Sequence, residues 1–396
     1  MLSKKRRVSI FLACCALAAL VGTNCLAQSS LTEFQKILRE KAAFADNDFD
    51  ALARGETVAK ILPAQDKREV VVTGLAPLQA PAEVFLQSFR ENLTRKSNAA
   101  ILEIGSFSSQ PTIDDLRLLT FETRDLEDLK ECVVGDCRLK LSAAMIERLH
   151  REVSWDAPDY QAQATELLKQ MLVEYVRDYL ARGDSALIKY NDKQDEVRLA
   201  DEQRDLFASL GREVLPGVSL SKPGLPNVEQ SIVWSKIKFG LKPVFAINQI
   251  TIYHGAREFG PQVLIVSKQI YANHYFDSSL ALTALLNTSG TTYLVYENRS
   301  RADGLGGVFG GMKRGIIEGK ALESVKTILH QSQQNLEARA RNVAESAPAA
   351  EAAGRNWKGL KPSRIQMLLL ALSFTVLVLL GLGGYNWKSN ITGRTT

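Results

Sequence analysis

The 396-residue chain reads as an α+β protein: a curved antiparallel sheet gripping a long C-terminal helix, with a helical insertion. Three observations predict this. After residue 241 four β-rich runs follow one another, KPVFAINQITIYHG, PQVLIVSKQIYANHYF, SSLALTALLNT and TTYLVYENRS, with GAREFGP and NTSGT as compact turns between them. That is the order of a strand meander joined by hairpins. From about Gly311 to Arg341, Ile316, Ile317, Leu322, Val325, Leu329 and Leu336 recur at helical spacing, a stripe suited to cover one face of such a sheet. Between about 140 and 215 the period turns helical.

The elements follow in order. KKRRVSIFLACCALAALVGTNCLAQSS places a basic cluster before a 14-residue apolar run, Val8–Val21, and then small residues up to Ala27. This is the layout of a secretory signal peptide over 1–27, too short for the roughly 20 residues of a membrane span. LTEFQKILREKAAF reads as a short helix. KREVVVTGLAPLQAP reads as a strand ending in proline turns, and AEVFLQSFRENL as a helix with Pro81 at its first turn. LRLLTFE and the cysteine hairpin are strand candidates. SAAMIERLHREV is helical. DAPDYQAQATELLKQMLVEYVRDYLARG is the clearest helix, stopped by Gly183, with Ala164, Leu168, Met171, Leu172, Tyr175 and Tyr179 as its core stripe. ADEQRDLFASLG is a further short helix, and VLPGVSLSKPGLPNV a punctuated loop.

After the long helix an Ala/Pro/Glu-rich linker is expected over 342–364, then a transmembrane helix over 365–385 and a short tail, 386–396. Ile365–Tyr385 is 21 residues without a charge, enough to cross ~30 Å of hydrocarbon at about 1.5 Å per residue. Trp357, Tyr385 and Trp387 flank it as interfacial anchors. The exported domain is then 28–341, tethered to the cell membrane by a single pass, with its bulk on the periplasmic or extracellular side. Arg355, Lys358, Lys361 and Arg364 before the span oppose that orientation under the positive-inside rule, but the first segment usually dominates.

The 49 basic and 44 acidic residues give a net charge of +5. Setting aside Lys4, Lys5, Arg6, Arg7, Lys388 and Arg394 at the termini leaves 43 against 44. The folded part therefore has no overall charge to draw it to nucleic acid. Cys132 and Cys137 flank the turn Val133–Asp136, and an even pair in an exported chain reads as a disulfide.

The run EVVVTGLAPLQAPAEVF, a strand leading through an Ala-Pro turn into a helix, resembles the start of START-type and polyketide-cyclase-like helix-grip domains. TYLVYENRSRADGLGGVFGGMKRGIIEGKALESVKTILHQ resembles their close: last strand, glycine-rich turn and gripping helix. The likeness spans roughly 56–92 and 242–336, and the helical block at 140–215 is an addition to it. The resemblance implies a cavity for a hydrophobic ligand, a lipid site in some members and an enzyme site in others.

The remaining motifs exclude more than they assign. GLGGVFGGMKRG lacks the Lys-Ser/Thr that must follow the last glycine of a phosphate-binding loop, and Phe309 stands where a dinucleotide fingerprint needs glycine. A conformational turn in which Val308 and Phe309 plug into apolar surface, at the mouth of the implied cavity, is the better account. His150, His254, His274 and His330 show no metal-ligand spacing, and no nucleophile elbow is present. No metal or cofactor is expected. His274, in the polar run SKQIYANHYFDSS, is a candidate cavity residue or a satisfied structural group. Alternation along one strand sets it away from Tyr275 and Asp277. In NRSRAD, Arg299 and Asp303 are candidates for an anionic or lipid head group, or for an ion pair pinning the turn.

The expected function is a membrane-anchored, exported domain that binds a hydrophobic or lipid-like ligand under the C-terminal helix. The alternative is a non-catalytic envelope protein whose helical insertion docks a protein partner. No residue set points to catalysis.

Overall fold

The computed structural model describes residues 33–96, 100–212, 215, 224–238, 242–255, 260–288, 290–303, 305 and 310–353. The expected signal peptide, the transmembrane segment and the turn holding Val308 and Phe309 lie outside the described residues. Among the described residues no helix is long and apolar enough to cross a membrane.

The chain opens with α1, over 33–42, and α2, Asp46–Ala53. β1, Val58–Leu62, and β2, Glu69–Pro77, form a hairpin, and α3, Ala82–Asn92, follows the proline turn. β3, Ile101–Ser106, precedes the insertion, which holds α4, Thr123–Lys130, α5, Ala143–Glu152, and α6, Tyr160–Arg182. A small hairpin of β4, Lys189–Tyr190, and β5, Val197–Arg198, leads into α7, Leu199–Ser209. β6, Asn227–Ile237, β7, Val244–His254, β8, Gly260–Ala272, β9, Phe276–Thr288, and β10, Thr291–Ala302, make the meander, and α8, Gly310–Ala353, closes the order.

The sheet has eight antiparallel strands in the order β1-β2-β10-β9-β8-β7-β6-β3. The last long strand returns beside β2, so chain closure brings α8 over the first hairpin. Strand alternation gives the sheet an inner and an outer face. The inner face meets α3 and α8 through Val72, Ala76, Phe85, Phe89, Ile250, Ile265, Leu285, Leu294, Val325 and Leu329. On the outer face, α4–α6 cover Phe245, Ile247, Ile270 and Tyr271. There α1, α2 and α7 cover Val71, Leu75, Leu264, Leu280, Leu282 and Val295.

The seam between α8 and β2 is closed. A methyl group on Gly74 would stand 2.8 Å from Val325 Cγ1 and closer still to Leu329 Cδ1, so only glycine lets the helix come this near. α8 buries a narrower stripe than expected: Ala321, Val325, Ile328, Leu329 and Leu336. Ile316 is 57% exposed, because the helix touches the two strands at the sheet edge rather than spanning all eight.

Three other expectations are corrected. The linker begins later than 342, because α8 continues through Pro348 to Ala353; alanine-rich sequence after a long established helix outweighs one proline. LRLLTFE is not a strand. It follows the 3-10 turn Ile113–Leu116 and leads to α4, sending Leu116 and Leu119 beneath α6. The cysteine turn holds one isolated bridge, Val133 to Asp136, rather than strands, and Cys132 and Cys137 are joined by a disulfide.

Candidate functional site

The inner face is apolar at one end and polar at the other. Toward the end where α3 terminates lie Ile250, Ile252, Val263, Ile265, Leu285 and Leu294. Toward the β8–β9 turn the same face changes character. Asn248 and Gln269 are direct cross-strand partners, and Ser267 stands opposite Ile250. Ser235 neighbours them on β6, across from Ala246. Thr283 lies on β9, paired with Ile265 and Tyr296. All five polar residues are buried. Asn248 Nδ2, Gln269 Nε2 and the hydroxyls of Ser235, Ser267 and Thr283 have no hydrogen-bond partner in the protein. On β9 and β10 the band continues beside Thr283 as a partly satisfied network, the Tyr296 hydroxyl also lacking a hydrogen-bond partner in the protein. Ser279 and Ser300 hydroxyls lie 2.8 Å apart, Ser300 Oγ donates to Asn298 Oδ1 at 2.8 Å, and Asn298 Nδ2 donates to the Leu280 carbonyl at 3.3 Å. Burial holds the neighbouring Tyr296 phenol neutral, well above the usual tyrosine value.

An orphaned buried polar group costs about 1–3 kcal/mol. Five in one band, as direct or diagonal neighbours across strands, would cost roughly 5–15 kcal/mol, the size of a whole domain's stability. Such a band is tolerated where something polar reaches it from the space between the sheet and the helices.

The residues singled out from sequence lie elsewhere. His274 is buried, with Nε2 2.9 Å from Asp125 Oδ2. Burial alone would raise Asp125, but His274 and Lys242 hold it below the usual carboxylate range. Lys242 Nζ also reaches Asp128 at 2.9 Å. The run around His274 is not one strand. β8 stops at Ala272, and residues 273–275 turn the chain, with Tyr275 at φ 61°. The alternation expected across His274, Tyr275 and Asp277 is therefore broken.

Arg299 faces outward, where its guanidinium contacts Glu297 at 2.7 Å and Glu69 at 3.1 Å, all three buried. Arg301 extends the chain of charges to Glu202 at 2.7 Å, and Arg68 joins Glu202 to Asp277. Asp303 does not pair with the arginines beside it. It meets Lys140 at 3.2 Å and Lys193 at 2.5 Å. Lys140 is 2% exposed and also bonds Asp277 at 2.9 Å. Burial pushes Asp277 up to about 6 against the pull of Lys140. Burial also acts to raise Asp303, but Lys140, Asp277 and Lys193 together hold it below its usual value. These groups are mutually paired, so they clamp the end of the sheet and offer an incoming anion little.

Sequence reasoning missed the polar band. Its signal was present: Asn248, Ser267, Gln269 and Thr283 interrupt otherwise apolar strands at positions that alternation places on one face. Comparison of the chain with family models, with curated proteins and with solved structures finds no match.

Proposed function

We propose that this chain is an exported, membrane-held binding protein that takes a hydrophobic, lipid-like molecule between the inner sheet face and the helices α3 and α8. The band of unpartnered buried polar groups, set in apolar surroundings, carries this reading. A molecule with an apolar body and a polar end matches both parts of the face. The closed seam at Gly74 favours a site over β6–β9, beside α3, over one directly beneath α8. The return of β10 beside β2 and the strand–helix start at Glu69–Asn92 support the likeness to helix-grip domains. So do the four register shifts in the sheet, since bulges bend strands. Cleavage after Ala27 and a span at 365–385 complete the proposed topology, and N-terminal sequencing of the mature chain should then begin at Gln28.

The test is mass spectrometry of organic extracts from the purified full-length chain, compared with the bulk lipid of the host membrane. Strong enrichment of one amphiphile class is expected. An extract indistinguishable from bulk lipid refutes ligand binding.

The docking alternative has one observation in its favour. Ile113, Leu118, Val133, Val134 and Leu180 are exposed, all in the segment between β3 and β6. Single exposed apolar residues are ordinary on soluble surfaces, so this reading stands second.

A further inference from the structure

We infer that the molecule's polar end is uncharged, and that Asn248 and Gln269 select it. The inference rests on the proposed binding site and deepens it.

Charge is segregated across the sheet. Glu69, Glu297, Arg299 and Arg301 point outward from β2 and β10, and Glu103 and Lys236 do so from β3 and β6. On the inner face of the described strands the charged or titratable side chains are Glu229, His254 and the neutral phenol of Tyr296. The first two sit at the far end of β6 and β7, where Glu229 binds His254 and Arg90. On the covering helices, Arg339 pairs with Glu91 and Arg314 with Glu318. The carboxylate nearest the band along β9, Asp277, is already held by Lys140 and Arg68.

A phosphate or carboxylate seated among Asn248, Gln269, Ser267 and Ser235 would lose its water and meet no countercharge, which strongly disfavours an ion. A hydroxyl or ester carbonyl fits instead. The two amide N–H groups donate to its oxygens, and the serine hydroxyls donate or accept as required. The apolar body would then run over Ile250, Ile252, Ile265 and Leu285, away from the β8–β9 turn. The occupant class is an amphiphile with a neutral, multiply hydroxylated or ester head, of the monoacylglycerol kind.

The experiment uses the full chain in phosphatidylcholine vesicles and two photoreactive probes with the same diazirine-bearing acyl chain. One is a monoacylglycerol; the other is the matching lysophosphatidic acid, which differs by a charged phosphate. Adducts are mapped by peptide mass spectrometry. The monoacylglycerol should label inner-face peptides of β7–β9 at least about tenfold more than the charged probe. Asn248→Leu with Gln269→Leu should cut that labelling by about fivefold or more, the effect of one or two hydrogen bonds. The same pair should not lower the melting temperature of the unliganded chain, since it removes orphaned groups. Ser267→Ala, a smaller change, serves as a second variant and should cut labelling in the same direction. Equal labelling by both probes, preference for the charged probe, or variants that label like the wild type would overturn the neutral-head assignment while leaving a binding site in place. Failure of both probes to reach the inner face would instead remove the proposed function itself.

Discussion

α8 approaches β2 closely at Gly74, and this contact gives the sharpest test of how the long helix is held. Gly74→Ala places a methyl group 2.8 Å from Val325 Cγ1 and nearer still to Leu329 Cδ1. Ordinary carbon–carbon contact is about 3.5–4.0 Å, so both side chains must retreat by roughly an ångström. Overpacking of this size costs about 1–3 kcal/mol. The alanine recovers about 0.5–1 kcal/mol of backbone entropy, leaving a net loss of roughly 0–2.5 kcal/mol. Leu329→Ala, at a fully buried position, should lose about 2–5 kcal/mol. In the double variant the new methyl occupies part of the vacated space. Its loss should therefore fall short of the sum of the singles by about 0.5–3 kcal/mol. Urea unfolding followed by fluorescence of the buried Trp234 measures all four proteins. Strict additivity would refute the closed seam.

Asp277→Asn should reveal the pH dependence of the buried charge cluster. Burial raises Asp277 from 3.8 to about 6 in the folded chain. Its contribution to stability is then fully present below about pH 4 and lost as the pH rises through about 6. The asparagine variant should gain on the wild type by up to roughly 3 kcal/mol between pH 4 and pH 7, and a gap that closes in the other direction would refute the assignment. Arg299→Met removes the guanidinium that buried Glu297 and Glu69 share, leaving Glu69 to Arg301, so a loss of about 3–5 kcal/mol is expected in thermal or urea unfolding. A surface-like change under 1 kcal/mol would contradict the outward buried placement. Replacing Cys132 and Cys137 with serine opens a very short loop and should cost about 2 kcal/mol, read as a lower midpoint in urea and faster hydrogen exchange around α4 and α5.

Much of this architecture was legible because its signals are local. α5, α6 and α7 declare themselves by helical period and by Gly183, whose φ of 60° ends α6. The meander shows in its β-rich runs, and α3 in its proline start. What escaped depends on distant partners. The turn between β8 and β9 contains neither glycine nor proline. It is set by the Tyr275 carbonyl accepting from Asp303 N at 2.7 Å and the His274 carbonyl accepting from Phe276 N at 2.7 Å. β6 begins with the exposed, polar run Asn227–Gln230 and only then turns inward, so its composition resembles the loop before it. β3 is six residues long, with an irregular register against β6. The pairing of His274 with Asp125 joins residues 149 apart, and the outward charge chain joins β2, α7 and β10. No short window contains either.

α8 has 44 residues, about 66 Å of axis. Arg339 pairs with Glu91 of α3, and about 21 Å of helix, at 1.5 Å per residue, runs on from there to Ala353. A long rigid rod gripped near its middle acts as a lever. Torque applied near residue 353 is delivered to the fulcrum at Gly74, Val325 and Leu329, so mechanical load from the chain's distal portion would loosen the roof of the interior before it pulled any strand from the sheet.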